Sequence, residues 1–86
     1  MTLEELEEEY KTHIHLANKL IEETNTAIKC GCLSDAKKRC TNAIDHYKKA
    51  LAIAEKCQFD SIDDLKKHIT YCEKTMQQIL SKENNK

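Results

Sequence analysis

Residues Gly31 to Leu51 read GCLSDAKKRCTNAIDHYKKAL, and this stretch decides the fold. It opens on the only glycine of the chain, directly after Lys29 and Cys30. A residue free to turn left-handed, preceded by a cation in the last turn, is how a helix ends, and Ser34 with Asp35 offers capping oxygens for a second one. From Leu33 onward, small and apolar residues recur at Ala36, Cys40, Ala43, Tyr47, Ala50, Ala54 and Cys57 in steps of three and four. That spacing draws one stripe along a helix, widened by Ile44 and Leu51. Four alanines in the stripe let neighbouring helices come close, so this helix is expected to be the central, most buried element.

Working outward, a second stripe runs through Leu3, Leu6, Tyr10, Ile14, Ala17, Ile21, Thr24 and Ile28, and a third through Ile62, Leu65, Ile69, Cys72, Met76 and Ile79. Between the stripe that ends at Cys57 and the third lies CQFDSIDD, residues 57–64. Here Asp60 or Ser61 can serve as N-cap, Ser61 and Asp64 have capping-box spacing, and Phe59 is positioned to staple onto the following turn. Proline is absent, so nothing else interrupts the helices. The pattern predicts an all-α fold without strands: an antiparallel three-helix bundle with helices at about 3–29, 34–57 and 61–82. Residues 1–82 form one domain, and the polar residues 83–86 read as a tail or the start of a linker.

The chain has 86 residues, with 14 basic and 15 acidic side chains and a formal net charge of -1. That balance disfavours nucleic acid as a partner. No apolar run is long enough to span a bilayer, and the N-terminus MTLEELEEEY is acidic where a signal peptide is basic and then apolar. A soluble, non-secreted, cytoplasmic protein without direct membrane insertion is expected. Five cysteines, an odd number without paired spacing, point to reduced thiols.

Three of those cysteines, Cys30, Cys32 and Cys40, crowd the first turn, yet a structural zinc site needs four converging ligands. Cys40, Cys57 and Cys72 fall on the stripes, where a thiol acts as a small hydrophobe. A disulfide between Cys40 and Cys72 remains compatible with the spacing, while Cys30 and Cys32 flank the turn as the oxidisable pair. His13 and His15 stand about 200 degrees apart around a helix and cannot grip one ion together. His46 and His68 are single in the sequence. No metal site, cofactor or catalytic constellation is therefore expected, and the chain does not read as an enzyme. Glu4, Glu5, Glu7, Glu8 and Glu9 suit the positive end of a helix dipole. Lys37, Lys38, Arg39, Lys48 and Lys49 are interleaved with Asn42 and Asp45 as a solvated face.

With these residues in view, the segment from Gly31 to Leu51 resembles the helix-turn-helix signature shared by TPR motifs and MIT (microtubule interacting and trafficking) domains. The matching positions are Gly31, Leu33, Ala36, Cys40, Ala43, Ile44, Tyr47 and Ala50. A TPR array needs another copy about 34 residues on, and SIDDLKKHITYCEKTMQQIL carries neither the glycine nor the alanines. The long first helix also favours a single MIT domain, over about residues 10–82. The resemblance implies a monomeric adaptor, endosome- or microtubule-associated, that recruits an attached AAA ATPase, protease, deubiquitinase or kinase. Its ligands would be short C-terminal motifs of ESCRT-III subunits laid into an inter-helix groove.

On the family's geometry one groove lies between helices 2 and 3, and a second between helices 1 and 3. The first would be lined by Tyr47, Leu51 and Ala54 with Ile69, Cys72, Glu73 and Met76. Family members commonly carry an exposed leucine on helix 3 and an acid one turn later. Here those positions are Cys72 and Met76, with Glu73 supplying charge, so the helix 1 to helix 3 site stays open as the alternative. Two other readings stand beside this one. One is a TPR-like self-associating bundle, and the other a katanin-like microtubule-binding domain using Lys37, Lys38, Lys48 and Lys49.

Overall fold

The structure is a computed structural model that describes residues 2–84. Three helices account for nearly all of them: α1 Leu3–Lys29, α2 Leu33–Cys57 and α3 Ile62–Asn84. The partners across each seam show the antiparallel course. From α1 to α2, His13 meets His46 and Glu23 meets Arg39, so rising along one helix means descending the other. From α2 to α3, Lys37 reaches Glu83, Cys40 reaches Cys72 and Tyr47 faces His68. The result is an up-down-up bundle 49 Å long and 18 by 15 Å across.

Each boundary has a local cause. Thr2 caps α1: the Glu5 amide donates to Thr2 Oγ1 at 3.2 Å and the Thr2 amide to Glu5 Oε1 at 3.3 Å, a capping box that the acidic cluster masked in the sequence. At the other end Gly31 takes φ +78°, its amide donates to the Ile28 carbonyl and that of Cys32 to the Ala27 carbonyl, closing the left-handed stop the sequence foretold. The expected cap at Ser34 is not used. The chain leaves this turn already aimed into α2, which starts one residue earlier, at Leu33, with Cys32 in the cap position and no side-chain bond to the helix.

The second turn differs more. Gln58 adopts the left-handed conformation, φ 56°, and the Phe59 amide donates to Ala54 O at 2.9 Å. A side chain there costs about 1 kcal/mol that glycine would not. Gln58→Gly is therefore expected to raise the melting midpoint by about 4–8 °C, checked by a thermal melt followed by circular dichroism. Phe59 packs edge-on against Tyr10 of α1, ring centroids 5.1 Å apart, while the Ser61 hydroxyl bonds the Tyr10 hydroxyl. Of the residues expected in the tail, Glu83 and Asn84 continue α3, with Glu83 3.9 Å from Lys37. Residues 85 and 86 lie outside the described ones.

α2 is the central helix, as its small-residue stripe demands. Ala36, Cys40, Ala43, Ala50 and Ala54 are all fully buried, flanked by Ala17 of α1 and by Leu65, Cys72 and Ile79 of α3. Both outer helices pack closely on α2, whereas α1 and α3 scarcely approach one another. That asymmetry positions the site described next.

Candidate functional site

Because α1 and α3 both lean on α2 rather than on each other, a cleft remains along their shared edge. It holds a pocket of about 170 Å³ lined by Tyr10, Ile14 and Asn18 from α1, Tyr47 from α2, Ser61 from the second turn, and Asp64, Leu65 and His68 from α3. Tyr47 forms the floor. Its ring stacks on His68 at 5.4 Å with an interplanar angle of 8°, and its hydroxyl donates to Asn18 Oδ1. Burial pushes the Tyr47 phenol up to about 12, the neighbouring Cys72 thiol adding to the effect, so it serves as a neutral hydrogen-bonding wall. Ile14, Ile21 and Ile28, seven residues apart, stay half-buried along α1. Asp64 is exposed and supplies a negative charge at the rim.

The seven residues expected to line a groove between α2 and α3 divide in two. Tyr47, Ala54, Ile69 and Cys72 are core, between 0% and 8% exposed. Leu51 and Met76 are half-buried and Glu73 is exposed. Only these last three offer atoms to a ligand on that side. The α2 stripe is built of small residues, so α3 settles deeply onto it and closes the seam that the stripe alone left undetermined.

The cysteines are all free thiols. Cys40 Sγ donates to the Cys72 carbonyl at 3.3 Å rather than bridging to its sulfur. Burial raises both thiols, that of Cys72 to about 12 with Cys40 and Glu73 contributing. Cys30 and Cys32 are exposed. They border a shallow depression with Glu22, Glu23, Asp35 and Arg39, where Arg39 joins Asp35 at 2.9 Å and Glu23 at 3.0 Å.

Comparison of the chain with protein-family profiles, curated proteins and solved structures finds no match.

The basic residues of α2 are not one free face, since Lys37 pairs with Glu83 and Lys49 with Asp45 at 3.1 Å. A different basic surface, which the sequence reading passed over, lies on the outside of α3: Lys66, Lys67, Thr70 and Lys74 around Tyr71, which is 51% exposed. Among the described residues no helix is long and apolar enough to cross a membrane.

The histidines differ most from expectation. His13 and His46, remote in sequence, meet across the α1–α2 seam with their Nδ1 atoms 2.9 Å apart and their ring centroids 5.2 Å apart. Glu9 Oε1, one turn earlier on α1, stands 3.7 Å from His13 Nε2. Burial lowers the His46 pKa below its ordinary value of 6.5, helped by His13 and Lys49 and opposed by Asp45. The unfolded chain then binds the proton first, so this stabilising contribution is complete above pH 6.5 and is lost as pH falls through the folded value. With chelator present, the melting midpoint should fall between pH 7 and 5, and His46→Asn should flatten that slope. An unchanged slope in the variant would assign the effect to the carboxylates instead.

Proposed function

We propose that this chain is a non-catalytic protein-interaction module of the MIT type. It would hold a short C-terminal helical motif of an ESCRT-III-type subunit in an inter-helix groove and so recruit an attached enzyme to membrane-remodelling filaments. The observation that carries the reading is the open α1–α3 edge: a channel with half-buried Ile14 along one side, exposed Asn18 and His68 at its mouth above the buried Tyr47 and Leu65, and Asp64 at the rim. Such a channel suits an amphipathic segment that buries apolar side chains and presents a basic residue to the rim. Leu51, Glu73 and Met76 mark the alternative groove against α2. A small contact area keeps such binding weak, in the micromolar range.

The test is an NMR titration of the ¹⁵N-labelled chain with a panel of ESCRT-III C-terminal peptides. Saturable amide shifts at Ile14, Asn18, Asp64, Leu65 and His68 are expected. Shifts confined to Leu51, Glu73 and Met76 would move the site to the α2–α3 groove, and no shift at millimolar peptide would overturn the proposal.

A second reading rests on the Lys66, Lys67, Tyr71 and Lys74 surface, which suits an acidic partner such as a tubulin tail. Binding there would weaken steeply with salt, unlike binding in the α1–α3 channel.

A further inference from the structure

The sequence offers no pair of histidines at ligand spacing on one helix, and the fold makes one between two helices. We propose that His13 and His46 form a binding site for a zinc-type divalent cation, held by the two Nδ1 atoms and clasping α1 to α2.

The separation of the two rings matches what such an ion requires, and their tilt must change to meet it. Two imidazole nitrogens bound at about 2.0–2.1 Å to one tetrahedral ion stand about 3.3 Å apart, with ring centroids about 5.2 Å apart. The observed centroids are 5.2 Å apart, and the nitrogens are 2.9 Å apart. The contact runs nearly straight from ring to ring, so with the centroids held each ring turns by about 35°, carrying each Nδ1 about 0.7 Å, to aim both lone pairs at one ion. Both rings sit on well-formed helices in a half-buried seam, so the two donors are brought together before any ion arrives.

A second observation is Glu9. A metal-binding histidine typically gives its other ring N–H to a carboxylate, which fixes the tautomer and strengthens the donor. Glu9 lies on the Nε2 side of His13, favouring the proton there and leaving Nδ1 with its lone pair free. In the metal-free pair His46 then donates its Nδ1–H to His13. Binding moves that proton to Nε2 of His46 by exchange with solvent, so two neutral rings release no net proton. Of the charged residues nearby, Glu9 and Asp45 favour a cation and Lys49 opposes it, but Lys49 is paired with Asp45.

The rest of the coordination sphere is water, because among the described residues no three His, Cys, Asp or Glu side chains are placed to hold one ion. The site is open, and its affinity falls short of that of a closed four-ligand structural site.

The test uses the reduced full chain with zinc chloride and long-range ¹H–¹⁵N spectra of the imidazole rings, which read coordination at each nitrogen and are indifferent to thiol binding elsewhere. The Nδ1 resonances of His13 and His46 should move together and saturate at one site, while those of His15 and His68 stay in place. The melting midpoint should rise with zinc and return with chelator. Glu9→Gln should weaken binding by about 10-fold at most, and Cys30→Ser with Cys32→Ser should leave the imidazole shifts intact. The proposal is overturned if zinc moves no imidazole nitrogen, if all four histidines drift without saturation, or if the shifts vanish with the two cysteines.

Discussion

Tyr47→Ala is expected to lower the melting midpoint by about 12–40 °C, the effect of about 3–5 kcal/mol on a domain of this size. Tyr47 is 3% exposed on the central helix and links all three elements. Its ring lies flat against His68 of α3 and its hydroxyl reaches Asn18 of α1. Since α1 and α3 scarcely approach one another, removing this side chain takes away a contact that each of them makes with α2. A chain of 86 residues has a total stability of only about 4–13 kcal/mol, so the variant loses a large share of it. Tyr47→Phe separates packing from hydrogen bonding, because it keeps the ring and loses about 1 kcal/mol. The same burial gives a second readout. With the phenol pushed up to about 12, the unfolded state ionises first, so the contribution is intact below pH 10 and lost as the solution becomes more alkaline. An alanine variant melting within a few degrees of the parent would show that α1 and α3 are each held by α2 alone.

How far this architecture is legible in the sequence follows from what a stripe encodes. The three apolar stripes, the glycine at 31 and the alanines of α2 are local signals, and they specify three helices, their order and the central one. A stripe says that a face is apolar, without saying what covers it. Tyr47, Ala54, Ile69 and Cys72 therefore read equally as groove or as core, and the depth to which α3 settles on small α2 residues makes them core. Gln58 was illegible for a different reason: its left-handed backbone is imposed by the turn against a preference that favours glycine. The meeting of His13 with His46 depends on the register of α1 against α2. Periodicity within one helix carries no information about that register, so a test of ligand spacing on single helices passes over it.

The second large effect concerns the thiols. Treated with excess iodoacetamide, Cys30 and Cys32 should be modified at once, half-buried Cys57 more slowly, and Cys40 and Cys72 at least about 10³-fold more slowly than the turn cysteines. The slow pair is protected by burial, at 0% and 1% exposure, and α2 must part from α3 before reagent enters. The raised thiol pKa adds little to this protection, because reaction proceeds from an opened state in which each thiol has returned to its ordinary acidity. Cys40 donates to the carbonyl of Cys72 itself, so one opening exposes both sulfurs and the two should be labelled at a common rate, read by mass spectrometry of the digested chain. If α3, which packs on α2 alone, lifts away as a unit, that rate will exceed the one for global unfolding and will fall when a ligand in the α1–α3 cleft pins α3 in place. Labelling of Cys40 as fast as Cys30 would show that the α2–α3 seam is open in the native state, and would return Cys72 and Ile69 to the ligand-binding surface.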